Sequence, residues 1–201
     1  MTHDGTARPV ITDRLIGWIL TVGGPAGALA AFVLAVEKVA LLKDPTYTPS
    51  CSINPILSCG SIMTTAQAEV FGFPNPLIGL AAFPVVAATG AAVLAGARLP
   101  RWWWLSLQAG ALLGVVFVHW LFVQSLYRIG ALCPYCMVVW VVMILIFSYL
   151  TLHNAERGHL PAPRRVTGAL LAVHSTVPLL WLLILTGLIG VRFWDYWSTL
   201  L

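Results

Sequence analysis

Charged side chains are scarce in this chain, with eleven basic and seven acidic residues among 201. That is 9%, against roughly 25% in a soluble domain, so an ordinary water-facing surface is excluded. The long apolar stretches contain no Asp or Glu, and there is no internal repeat or matched pair of broken helices. A transporter built on intramembrane carboxylates is therefore poorly supported. The basic residues are scattered, so the formal charge of +4 bears on topology and lipid headgroups, and no nucleic-acid partner is expected. Cysteine is limited to four residues, too few for a disulfide-rich scaffold.

Apolar residues make up 59% of the chain and the mean hydropathy is +0.89, which places it among polytopic membrane proteins. The first apolar run, Leu15 to Val36, has the roughly 20 residues a bilayer core requires. No A-x-A-like cleavage site follows it, so it reads as a retained span. Its Gly23-Gly24-Pro25-Ala26-Gly27 segment suits close helix packing more than a cofactor cavity. Glu37 and Lys38 mark its exit to water. Further spans are expected over Leu77–Ala97, Trp102–Leu126, the run that opens at Cys133 and ends at Leu152, and about Thr167–Val191. Pro84 suggests a kink in the second, and Trp102, Trp103 and Trp104 resemble an interfacial aromatic belt. The expected fold is an all-α integral membrane protein: a four-helix transmembrane bundle with a fifth transmembrane helix. The expected division is an N-terminal segment 1–14, a bundle 15–152, and a segment 153–201 with a polar loop, the fifth span and an aromatic tail.

One connection is long and polar, residues 43–74, and it contains Cys51 and Cys59. Connections of that length are usually functional. Within it, Ser61–Val70 can form a short amphipathic helix lying over the membrane surface as a lid. The other two cysteines form Cys133-Pro134-Tyr135-Cys136 at the start of the fourth span, where a helix N-terminus lowers a thiol pKa.

Orientation follows from the basic residues on alternate sides. Arg8, Arg14, Arg98, Arg101, Arg157, Arg164 and Arg165 lie on one side, and Lys38, Lys43, Arg128 and Arg192 on the other, so the N-terminus is expected in the cytoplasm. All four sulfurs then share the outer, oxidising face, where disulfides are permitted. Thiol–disulfide exchange needs one pair that meets a protein substrate and a sheltered pair that meets the final acceptor. The expectation is that Cys51 and Cys59, on a mobile loop, swing between a partner and Cys133, while Cys136 faces the apolar bundle. Two static structural disulfides are the bland alternative. A zinc site is disfavoured, because Cys-x7-Cys is not a ligand spacing and no histidine is suitably placed, so no metal is expected. Cys-Pro-Tyr-Cys also occurs in soluble glutaredoxins, but no βαβ pattern surrounds it here.

The run Ile129-Gly130-Ala131-Leu132-Cys133-Pro134-Tyr135-Cys136-Met137-Val138-Val139-Trp140, the upstream Cys51-x7-Cys59 loop and Asn75-Pro76-Leu77-Ile78-Gly79 together resemble bacterial members of the vitamin K epoxide reductase family, over about residues 15–152. The other bacterial quinone-linked disulfide generator carries its Cys-x-x-C pair in the first outer loop, the reverse order. The resemblance implies a bundle around a quinone, either menaquinone or ubiquinone. It implies a relay from a DsbA-like thioredoxin-fold partner in the periplasm of a bacterial inner membrane, through Cys51, Cys59, Cys133 and Cys136, to that quinone. Asn75 would bond a quinone oxygen, with Met63 at the pocket mouth. Animal members have a tyrosine where this chain has Trp140, which implies a pocket of different shape and hydrogen bonding. Some relatives carry a fused thioredoxin-like domain; without one, the partner is expected to be a separate protein. Reduction of an epoxide or quinone as the main activity is the alternative implied by the same resemblance.

Among the remaining polar residues, His119 can shuttle a proton or simply pack, and packing is favoured for it and for His174. Glu69 is expected to be solvated. Ser58, Ser61, Thr64 and Thr65 are expected to cap the short helix rather than bind a ligand.

Overall fold

A computed structural model describes residues 11–199. Residues 1–10, which include Arg8, and residues 200–201 lie outside the described residues. Among the described residues the regular structure is helical, with one isolated parallel bridge, Leu57 to Leu132.

Helix α1 runs Asp13–Lys43, seven residues beyond the expected exit at Val36. Its start is capped by Thr12, whose hydroxyl accepts the Leu15 N–H, and its end carries Lys43, which suits the helix dipole. Helix α3 (Pro76–Leu94) opens on a proline that sacrifices no intrahelical bond. Helix α4 (Arg101–Gln124) continues into a π-helical turn, Ser125–Ile129, closed by Gly130 in the left-handed region at φ 73°. Helix α5 (Pro134–Glu156) begins directly after Cys133. Each of these four is long and apolar enough to cross a membrane.

Packing of α1 on α3 is the tightest seam. A Cβ added to Gly24 would lie 2.6 Å from the Ala87 nitrogen, and one on Gly90 2.5 Å from the Thr21 nitrogen. The glycines therefore serve backbone approach between membrane helices. Helix α5 packs on α1 and α4, while α3 and α4, joined where the Trp103 indole N–H donates to Thr89 Oγ1 at 3.2 Å, flank a cavity. At the end of the bundle away from the cysteines, Glu156 accepts the Ile11 N–H at 2.9 Å and Arg157 pairs with Asp13 at 2.6 Å.

The fifth span is not one helix. Helices α6 (Arg164–Ala172) and α7 (Thr176–Arg192) meet at a 66° bend, followed by a short α8 (Trp194–Trp197). Pro178 explains the break: in a continuous helix its ring would collide with the carbonyl of His174, four residues earlier. The pair packs on α5. His119 fastens it, with Nδ1 on the Val115 carbonyl and Nε2 accepting the Trp181 indole N–H, both at 2.8 Å. His174 contacts the Tyr149 hydroxyl at 3.3 Å. Both histidines thus have packing and hydrogen-bonding partners, as the packing expectation requires.

The expected lid helix over Ser61–Val70 is two pieces, α2 (Cys59–Met63) and a 3₁₀ turn, Ala66–Glu69. Hydroxyls compete with the helix between them: Thr64 Oγ1 bonds the Gly60 carbonyl and Thr65 Oγ1 the Ile62 carbonyl. Ser58 caps α2 by accepting the Ser61 N–H.

Candidate redox site

Two connections meet at the cysteine end of the bundle. Asn54 turns the first, its Oδ1 accepting the N–H groups of Ile56 and Leu57. That turn presents Ile56, Leu57 and Ser58 to the segment after the π-helical turn. Leu132 N–H donates to the Ile56 carbonyl at 2.7 Å, and Ser58 N–H donates to the Leu132 carbonyl at 2.9 Å. Cys59 follows Ser58 and Cys133 follows Leu132, so this backbone clip carries the two sulfurs together.

Cys51 and Cys59 form a disulfide, and Cys133 and Cys136 are thiols. Cys59 Sγ lies 3.1 Å from Cys133 Sγ. A disulfide sulfur has no hydrogen to donate, so any proton in this contact belongs to Cys133. Cys133, just ahead of the α5 span, is held below the ordinary thiol range, first by a hydrogen bond from the Cys136 thiol and then by backbone N–H groups, against the opposing effect of burial. An assembled set of three sulfurs, one pair bonded and the third in contact with their shared member, is the geometry for disulfide exchange.

The loop pair is not an exposed, swinging arm. Cys51 is 4% exposed and Cys59 fully buried, packed with Leu34, Met63 and Cys133. The sequence offers no sign of this, because a polar loop reads as solvated whether or not α1 extends beneath it. Helix α1 does extend beneath it, and the two residues expected to mark its exit to water are buried instead. Glu37 and Lys38 are each 7% exposed. Glu37 Oε1 accepts both the hydroxyl and the N–H of Ser50, next to Cys51. Lys38 Nζ donates to the Met63 carbonyl at 2.7 Å and pairs with Glu69 at 2.8 Å, so Glu69 is not simply solvated. Sequence reasoning missed this pair; the signal available was a Glu-Lys dipeptide near the end of an apolar run with a loop long enough to fold back over it.

Below the sulfurs lies a cavity of about 940 Å³ between α3 and α4. Cys133 and Cys136 line it, as do Met63, Asn75 and Trp140. Its walls are otherwise largely apolar, including Phe83, Leu107, Val118 and Ile146. Trp140 is buried and meets Phe122 edge-on, with ring centroids 5.0 Å apart. Met63 is buried, with its carbonyl engaged by Lys38. Asn75 precedes α3 and donates from Nδ2 to the Gln67 carbonyl at 2.7 Å, while its buried Oδ1 has no partner among the described residues. The orphaned Oδ1 is an acceptor, so it suits the hydroxyl of a reduced quinol, and the second N–H of Nδ2 is the group that can donate to a quinone oxygen; an apolar cavity beside two thiols fits such a flat ring. No group of three or more metal-ligating side chains occurs among the described residues.

The model of the vitamin K epoxide reductase family matches residues 18–151. No match was found among curated proteins.

Proposed function

Because this chain belongs to the vitamin K epoxide reductase family, whose members are membrane thiol oxidoreductases that use quinone, we propose that it oxidises a DsbA-like thioredoxin-fold partner outside a bacterial inner membrane and passes the electrons to membrane quinone. In this reading residues 15–152 are the redox bundle and residues 153–201 an accessory segment. The observation that carries it is the contact of Cys133 with Cys59 while Cys59 remains bonded to Cys51.

Each exchange in the relay breaks one S–S bond and forms one. Cys51 is only 4% exposed, so its loop must first part from α1 to admit the partner; a partner thiolate then attacks Cys51, and Cys59 leaves as the thiolate. Cys59 then attacks Cys133 of a Cys133–Cys136 disulfide, releasing Cys136. The second partner thiol closes the partner's own disulfide and frees Cys51. Cys51 next attacks Cys59 and releases Cys133. That leaves the arrangement observed, a Cys51–Cys59 disulfide beside two thiols. A quinone held by the cavity beside Cys136, Asn75 and Trp140 supplies the acceptor for the two electrons and two protons that Cys133 and Cys136 lose on closing their disulfide. Asn75 Oδ1 can accept from the hydroxyl of the quinol product and its second Nδ2 hydrogen can donate to the quinone oxygen, the indole of Trp140 closes the apolar wall, and Met63 roofs the cavity under α2. Asn75 keeps its own orientation through Gln67.

The test replaces Cys136 with Ala. The expected result is a Cys59–Cys133 linkage that accumulates with no quinone reduction; normal turnover in that variant would defeat the assigned roles. Cys51→Ala is expected to stop exchange with the partner while quinone still binds.

A further inference from the structure

Resting on that relay, we propose that Glu37 and Lys38 are opposed positioning residues that set how the shared sulfur of Cys59 divides between Cys51 and Cys133. The two side chains leave adjacent positions of α1 and grip different segments. Glu37 holds Ser50, and with it Cys51, through two hydrogen bonds to one carboxylate oxygen. Lys38 holds the far end of the five-residue helix that begins at Cys59, through the Met63 carbonyl at 2.7 Å, and adds Glu69 at 2.8 Å. Leu34, one turn earlier on the same helix, packs against the cysteine cluster itself. Glu37 and Lys38 are buried, so the bonds to Ser50 and to the Met63 carbonyl are sheltered charge-assisted ones, whereas the ion pair is open to water on its Glu69 side, where the side chain is 39% exposed.

The exchange at issue is internal and balanced. Cys133, as the thiolate, attacks Cys59 Sγ; the Cys59–Cys133 bond forms, the Cys51–Cys59 bond breaks, and Cys51 leaves as the thiolate and can take the proton that Cys133 gave up. Neither state is more oxidised than the other. Their ratio depends on the effective concentration of each competing sulfur at Cys59, which is set by how firmly its segment is held. With the far end of α2 released, the Ser58–Leu132 clip alone holds Cys59 at Cys133 and its side chain turns away more freely, whereas Cys51 stays tied to it by a short loop. Loosening Ser50 lets Cys51 drift while α2 stays clipped to Cys133. The two substitutions must therefore move one ratio in opposite directions, which general destabilisation does not do.

The experiment uses the full chain in detergent with Cys136→Ala, so that one disulfide is shared among three sulfurs. After acid quenching, the free thiol is alkylated and assigned by peptide mass spectrometry. Lys38→Met is expected to lower the ratio of the Cys59–Cys133 to the Cys51–Cys59 linkage about tenfold, and Glu37→Leu to raise it about tenfold, the order expected for loss of a charge-assisted hydrogen bond. Lys38→Arg and Glu37→Gln keep a donor and an acceptor and are expected to stay near the parent. If Lys38→Met fails to fold, Glu69→Gln removes only the ion pair and is expected to lower the ratio about threefold. An unchanged ratio in the folded variants, or a shift in the same direction for both positions, overturns the assignment. A parent that forms no Cys59–Cys133 linkage at all overturns the relay and the assignment with it, so the two failures are told apart by the parent alone.

Discussion

Asn75 shows how a single side chain divides its capacity between structure and ligand. One amide N–H fastens Gln67, and the carbonyl oxygen is left buried without a partner among the described residues. A buried acceptor left unmade costs about 1–3 kcal/mol, which a ligand can recover. The ligand able to donate to that oxygen is the quinol, so Asn75→Leu, close in volume, is expected to weaken product inhibition by quinol about tenfold in a steady-state assay, while the Cys59–Cys133 linkage still forms in the Cys136→Ala background. If the linkage were lost as well, Asn75 would be acting through the loop. Cys133 makes a second residue-scale case. Its depressed pKa is due first to the Cys136 thiol, so the thiolate is present at lower pH than in an isolated cysteine. Cys136→Ala is expected to move the pH midpoint of Cys133 reactivity upward, measured by the pH dependence of linkage formation, whereas Cys136→Ser retains a donor and is expected to move it less.

Among elements, the α1–α3 seam positions everything above it, since α1 carries Glu37 and Lys38 and α3 begins beside Asn75. The seam depends on absent side chains: Gly24 faces Ala87 and Gly90 faces Thr21 with no space for a Cβ. Gly24→Val or Gly90→Val is expected to cost about 1–3 kcal/mol through overpacking, read as a lower thermal midpoint in detergent. Gly187→Ala in α7, where a Cβ would meet nothing within 4 Å, is the control and is expected to leave the midpoint unchanged or slightly raised. The bent α6–α7 pair, by contrast, touches the redox end through Arg192, whose Nε donates to the Leu126 carbonyl within the turn that leads to Cys133.

For the molecule as a whole, all four sulfurs sit at one end of the bundle, and the proposed orientation turns that end outward. In a cysteine-free background, Thr46→Cys on the exposed loop is expected to react with a membrane-impermeant thiol reagent added to intact cells. Ala162→Cys, exposed at the other end, is expected to react only after permeabilisation. The reverse pattern would place the disulfide in a reducing compartment and remove the proposed partner. Much of this scale was readable from the chain. Four spans, the gathering of the cysteines at one end of the bundle and the family follow from the lengths of apolar runs and the order of two cysteine motifs, while the outward orientation drawn from Arg and Lys is the proposal that the labelling experiment tests. Those are properties of contiguous segments, and the partition of a segment between water and lipid is nearly a sum over its residues. What only the tertiary structure decided lies between segments: the contact of Cys59 with Cys133, the burial of Glu37 and Lys38 under the loop, the unpartnered oxygen of Asn75 and the cavity between α3 and α4. Each depends on residues far apart in the chain closing on one another, and the energy of that closure belongs to the pair and to neither sequence alone.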